Sequence, residues 1–362
     1  MHIVLIKPDG IGDYFLYRNF PPLIKKHFGA DCTITGLLSP SIRGFADILD
    51  RNVWDKILWF DPKKLISHKT YLIKWQFLTK TLRADIVVYP VISRYSPVDW
   101  LVSRISAKQK IGSVNDLKCM SAERARETDT FYSRLIPYYP DRPRFEFYSY
   151  QDFFGGWLND NPPLSPLWHR DTFPSFTHPG KGSYVMLFPG AGQPYRKWPA
   201  DWFGLVARYI IERYRLPVWV AGSDADQESA KVIVEAGGSA VNSVCGKMRL
   251  VNVASMVKDA SLVIANDSGP MHLAALLGVP LIGISSTRDY GRYHPYPVEF
   301  GLKARFVYPL SSCVLPWEDE TRLNIAKVHS EDGHFKVSDV SVDQVLEALD
   351  SLLALSNITP RI

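Results

Sequence analysis

Short apolar runs closed by glycine, proline or polar turns recur along the chain, and stretches with apolar residues at helical spacing lie between them. In the first half, His2–Ile6, Cys32–Leu38, Ile57–Phe60 and Asp85–Pro90 read as buried strands. Tyr14 to about Phe28, residues 63–83 and Val98–Ser106 read as helices. The rhythm restarts with strands at Tyr184–Phe188, Pro217–Ala221, Ala240–Val244, Leu262–Ala265 and Leu281–Ser285. Helices are expected from Pro199 to about Tyr214, at Gln227–Ala236 and Leu250–Asp259, and over a short stretch stopping at Gly278. Strand and helix in alternation predict α/β domains built on parallel sheets. Residues 113–180 are less regular and rich in proline and aromatics, so the domain boundary is placed there. The division expected is 1–175, 176–340 and a tail, 341–362, whose amphipathic helix Val342–Leu355 would pack back on the first domain.

The turns at strand ends carry the candidate chemistry. Leu262–Gly283 reads strand, turn, short helix, strand, with Asp267 and Ser268 as cap types, Gly269 for a tight turn and Pro270 at a first-turn position. Free backbone N–H groups and the positive dipole end would make that helix start a phosphate seat, although an ordinary βαβ unit has the same grammar. Asp13, on the glycine-flexed turn after the first strand, is either a carboxylate facing a cleft or a helix N-cap. Gly10 and Gly12 begin a dinucleotide fingerprint that fails at Phe15, where a third glycine is required. The stretch 63–83 is basic and amphipathic, suited either to anionic lipid or to packing on the sheet with a solvated charged face.

Composition narrows the class only a little. The 362 residues suffice for two domains, and 46% hydrophobic with 22% charged is ordinary for a globular protein. A net charge of +5 suits an anionic ligand or a membrane surface. No zinc-ligand spacing or aromatic–basic RNA motif occurs, so no nucleic-acid partner is expected. Cys32, Cys119, Cys245 and Cys313 are widely spaced and read as reduced thiols of a cytosolic protein. The N-terminal apolar core reads as a strand rather than a signal peptide, and no run is long enough to cross a bilayer.

Four stretches together resemble one family: KPDGIGDYF (7–15), DIVVYPVIS with SAKQKIG (85–112), FPGAG with RKWPADWF (188–203), and NDSGPMHLAALLGVP (266–280). The set resembles glycosyltransferase family 9, the heptosyltransferases of lipopolysaccharide core synthesis, in order over roughly residues 1–300. That resemblance implies an α/β GT-B fold, with an acceptor-binding and a nucleotide-sugar-binding Rossmann-like domain facing across a cleft. It implies an inverting, metal-independent transfer, without cofactor, of heptose or a related sugar. The donor would be a nucleotide-sugar, with an ADP-sugar favoured. The acceptor would be lipopolysaccharide or another envelope glycan or glycolipid.

By the same resemblance, Asp13 falls on the family's general base, and Lys197 on the lysine that neutralises the departing nucleoside diphosphate. Gly190 and Gly192 match the glycine turn of the donor site. Asp267, Ser268 and Gly269 match the turn whose backbone meets the diphosphate, and Met248 the loop lining the nucleobase. His272 is either a phosphate donor or a satisfied core histidine. Asp224 opens an Asp-Ala-Asp that mimics the metal motif of the other transferase fold; here it reads as a surface acid or a contact to the donor ribose. Tyr14, Ser285-Ser286 and the loop Thr287–Tyr296 depart from the family pattern, so a capsule or O-antigen acceptor fits as well as core oligosaccharide. The location implied is cytoplasmic, with peripheral contact to the inner membrane. Two rivals are a nucleotide-sugar epimerase of the same fold and a non-catalytic nucleotide-binding scaffold.

Overall fold

The computed structural model describes residues 1–137, 145–160, 165–312 and 335–360. The chain divides into two compact units, Met1–Leu164 and Ser165–Ile362. The boundary expected at 175/176 therefore falls inside the second unit, and the anchoring explains why. Trp168 donates its backbone N–H to the Leu276 carbonyl at 2.7 Å and stacks on Phe173, while Phe176 donates to the Ser255 hydroxyl at 2.7 Å. Residues 165–177 are thus fastened to the second unit and do not act as a linker.

Among the described residues the first unit holds β1 (His2–Lys7), β2 (Thr33–Leu38), β3 (Lys56–Trp59), β4 (Arg83–Tyr89), β5 (Ser106–Ser113) and β6 (Arg134–Ile136). They form one parallel sheet in the order β3-β2-β1-β4-β5-β6. The second unit holds β7 (Val185–Phe188), β8 (Val218–Val220), β9 (Val241–Ser243), β10 (Leu262–Asn266), β11 (Leu281–Ile284) and β12 (Ala304–Val307). Its parallel order, β12-β11-β10-β7-β8-β9, repeats the same winding. In each unit the strand order reverses beside the first strand, between β1 and β4 and between β7 and β10. Ligands of such sheets bind beyond the carboxyl ends at that switch point.

The central strands form because Val, Ile and Leu suit a pleated surface covered on both faces. Ile3, Val4, Leu5 and Ile6 of β1 and Leu262, Val263 and Ile264 of β10 are all fully buried. Outer strands carry a weaker signal. Pattern reading gave no strand at β5, β6 or β12. The sequence of β5, SAKQKIGS, has a largely exposed first half, and its Lys108 pairs with Asp85 of β4 at 2.7 Å.

Two expected helices are each broken in two. Tyr14–Phe28 becomes Ile11–Tyr17 and Pro21–Phe28, because proline at the start of the second helix cannot continue the first. The stretch 63–83 becomes Pro62–Ser67 and Lys69–Thr81, with His68 extended between them. Trp75 packs on Phe60, and Leu72, Leu78 and Leu82 line the same core, so one face of this stretch covers the sheet.

The helix Glu146–Leu158 was not anticipated; two glycines and a run of aromatics mask its period. It buries Phe147, Tyr150, Phe153, Phe154 and Trp157. Tyr150 meets Tyr17 edge-on, and Phe154 stacks on Phe20.

The tail helix Val342–Leu355 packs within the second unit. Its capping box, Ser341 with Gln344, fixes the start. Val345, Leu349, Leu352 and Leu353 then fall on one face and enter the core of the second unit, against β11, β12 and the helix Ala200–Tyr214. Tyr209 and Tyr214 of that helix both donate to Asp350, at 2.8 and 2.7 Å. Cys32 and Cys245 are buried free thiols and Cys119 is exposed; Cys313 lies outside the described residues.

Candidate functional site

In the second unit, the turns after β7 and β10 lie side by side because Phe188 and Ala265 are register partners. Asn266, the last residue of β10, is fully buried and joins them. Its side-chain amide donates to the Pro189 carbonyl at 2.7 Å, and its side-chain oxygen accepts from the Trp198 backbone N–H at 3.1 Å. Trp198 is itself buried, and its indole N–H donates to the Val340 carbonyl at 2.8 Å. Lys197 is thereby held between two pinned points, with its half-exposed ammonium 3.4 Å from Asp226.

Asp226 emerges as the organising acid of the Asp-Ala-Asp turn. It accepts from the Ser223 backbone N–H at 2.9 Å and from the Ser223 hydroxyl at 2.8 Å. It also presses against Gly190, where an added Cβ would lie 2.4 Å from its carboxylate. Asp224 is exposed and accepts from Gln227 at 3.1 Å. It lies against Gly246, which has a φ of +69° and no room for a side chain. Gly192 is open, with nothing near its would-be Cβ. Met248, half-buried, sits in the turn between β9 and the helix Leu250–Asp259. Among the described residues, no group of three His, Cys, Asp or Glu side chains could hold a metal ion.

After β10, Ser268 occupies the N-cap position without a side-chain capping bond, and the helix Gly269–Leu276 follows. Asp267 therefore does not cap. Its carboxylate is buried, 3.5 Å from Arg196 and 3.6 Å from His294. Burial pushes its pKa up, but the charge and hydrogen bond of His294, followed by Arg196, outweigh burial and hold it at about 2. Arg196 also pairs with Asp289. His294 is fully buried, with its ring nitrogens 3.0 Å from the Ser285 hydroxyl and 2.9 Å from the Tyr308 hydroxyl. His272 is buried with Nδ1 2.7 Å from the Tyr296 hydroxyl.

In the first unit, Gly10 is the N-cap of the helix Ile11–Tyr17, and Asp13 lies in its first turn. Asp13 is therefore not the cap, and a half-buried carboxylate there is favoured by the helix dipole. Lys7 ends β1 almost completely buried, paired with Asp9 at 2.6 Å and lying over the rings of Tyr150 and Tyr17. The departure at Tyr14 has a structural cause. Its hydroxyl donates to Asp50 at 2.7 Å, Arg18 donates to the other Asp50 oxygen at 2.7 Å, and the Trp54 indole donates to Tyr14 at 3.2 Å. Tyr14→Phe should cost about 1–3 kcal/mol in thermal melts, because buried Asp50 loses a donor. An unchanged melting temperature would show that the hydroxyl does not hold this core.

Sequence reasoning missed Asn266, Arg196, Asp226, His294 and Lys7 as parts of these clusters. Arg196, Lys7 and Asn266 stood inside the quoted motifs, but nothing in a linear pattern says that Lys7 and Asn266 are buried or which side chains each of the three meets.

With this geometry in view, comparison with known proteins is specific. Residues 164–301 match glycosyltransferase family 9 (heptosyltransferase). That segment belongs to family 9. Lipooligosaccharide heptosyltransferase 2 of Haemophilus influenzae is 26% identical over 183 residues, covering 48% of this chain and 49% of that protein. Lipopolysaccharide heptosyltransferase 3 of Escherichia coli is 24% identical over 182 residues, covering 49% and 50%. The alignments thus span about half the length of these curated relatives. Solved structures extend the likeness in fold to nearly the whole chain. A family 9 glycosyl transferase from Veillonella parvula superposes with a TM-score of 0.69 at 20% identity, covering 98% of this chain and 97% of that one. An E. coli heptosyltransferase, solved with ADP-2-deoxy-2-fluoro heptose, gives 0.67 at 16% identity, covering 97% and 99%. The fold is that of these family 9 enzymes, GT-B.

Proposed function

We infer that this chain is a glycosyltransferase of envelope polysaccharide assembly. It moves a sugar, heptose or a related one, from an ADP-sugar to lipopolysaccharide or another lipid-linked glycan, with inversion and without a metal. The observation that carries this reading is the assembly of Gly190, Lys197 and the Asp267–Gly269 turn on one switch point, with both turns pinned by Asn266. A helix start and a lysine there suit a diphosphate.

In this mechanism the carboxylate of Asp13 takes the proton of the acceptor hydroxyl as that oxygen attacks the anomeric carbon. The bond from that carbon to the diphosphate oxygen breaks, and the nucleoside diphosphate leaves. Lys197 neutralises the growing charge. Its 3.4 Å contact with Asp226 is a loose one for a diphosphate to displace. The first N–H groups of the helix Gly269–Leu276 receive the phosphate oxygens. Asp267, already paired with Arg196 and lying beside His294, shapes the turn with its negative charge met by the guanidinium.

Calorimetry with ADP, GDP and UDP in the presence of EDTA tests the reading. ADP should bind despite the chelator, and Lys197→Ala should weaken it by about tenfold or more, the value of a charge-assisted hydrogen bond. Failure of every nucleotide to bind would overturn the donor site. Preference for GDP or UDP would retain the transferase but replace the sugar donor.

A further inference from the structure

Part of the basic stretch 62–83 covers the sheet, but its other face is turned outward and is unlike an ordinary solvated helix. Ile66, Ile73 and Phe77 are 67%, 62% and 72% exposed. Ile73 and Phe77 are one turn apart on the helix Lys69–Thr81, so both project from the same side. Lys69, one turn before Ile73, and Lys80, two turns after it, share that side; Lys74 flanks it, and Lys63 and Lys64 stand on the preceding short helix. All five lysines are exposed. Between Pro62 and Arg83 there are six cationic side chains and no acidic one.

A solvated helix normally puts charges outward and apolar residues inward. Here Trp75 already supplies the inward anchor, and the outward face mixes apolar tips with lysines. That combination matches an anionic bilayer surface. The apolar tips enter the acyl boundary, and the long lysine stems let their ammonium groups reach lipid phosphates. A soluble protein partner would need a concave apolar surface lined with acids, whereas a lipid surface needs only its charge.

We propose that the outward face of residues 62–83, with Ile66, Ile73 and Phe77 as the inserting residues and the five lysines as the charged collar, docks the protein on anionic phospholipid. The proposal goes beyond the transferase reading and is linked to it only through the lipid-linked acceptor.

Co-sedimentation of the full chain with phosphatidylglycerol-containing vesicles tests it. Wild type should pellet with these and stay in solution with pure phosphatidylcholine. Ile73→Ser with Phe77→Ser should lower partitioning by about tenfold. Lys69→Glu, Lys74→Glu and Lys80→Glu together should lower it further, since each lysine near a charged surface contributes about fivefold. These positions are exposed, so melting temperature and nucleotide binding should be retained. No binding to anionic vesicles, equal binding to neutral ones, or wild-type binding by both variants would each overturn the proposal. Calorimetry on the same preparations keeps that failure distinct from failure of the donor site.

Discussion

Asp267→Ala is expected to destabilise the second unit by about 3–5 kcal/mol, the range for removing one partner of a buried ion pair. The reason lies in what remains. Arg196 keeps Asp289, but the fully buried His294 loses the carboxylate beside it. A melting temperature lower by roughly 10 °C at neutral pH would accord with this cost. Acid gives a second check. The folded pKa of about 2 lies below the ordinary value of 3.8, so the ionised group stabilises the fold above about pH 4. That contribution, on the order of 2 kcal/mol, is lost as pH falls through about 2. The gap between wild type and variant should therefore narrow by about 2 kcal/mol between pH 4 and pH 2. Equal melting at neutral pH would show that the Arg196–Asp267–His294 cluster does not hold the turn.

Asp13→Asn should lower turnover by about 10²–10⁴-fold, the usual contribution of a general base. Asparagine keeps the size of the side chain and occupies a half-buried first-turn position, so melting should shift by less than about 1 kcal/mol. ADP affinity should stay unchanged, because the proposed donor contacts belong to the second unit. The measurement is ADP release from ADP-heptose with a truncated lipopolysaccharide acceptor, alongside calorimetry. Activity within tenfold of wild type would remove Asp13 from the base role. Lost ADP binding would mean that the substitution acts on the donor site instead.

Most legible in the sequence were the strands whose pattern is set by burial on both sides, although the edge strands β3 and β9 were also read, from short runs closed by turn residues. The apolar runs at β1, β4, β7, β10 and β11 were readable because a central parallel strand is almost continuously hydrophobic. β5, with Lys108, Gln109 and Lys110, and β12, with Arg305, were not, because outer strands tolerate charge and take their conformation from a neighbour. The tail helix was readable as amphipathic, but amphipathicity names no partner; only the packing of Leu349 and Leu353 shows that it belongs to the second unit. At the candidate site, the motifs located the turns at 190, 197 and 267. The clusters around them depend on residues distant in sequence, such as Asp226 beside Gly190 and His294 beside Asp267, which periodicity cannot connect.

Asn266 has one further implication. A side-chain amide offers a donor and an acceptor at a fixed separation, and here one end holds residue 189 and the other residue 198. The span from Gly190 to Lys197 is thus a loop with both feet nailed to one small plank. Residues could be added or lost near Gly192, where space is open, without shifting either foot. The same framework could then present a longer or shorter loop to different donors while the lysine at its end stays where it is.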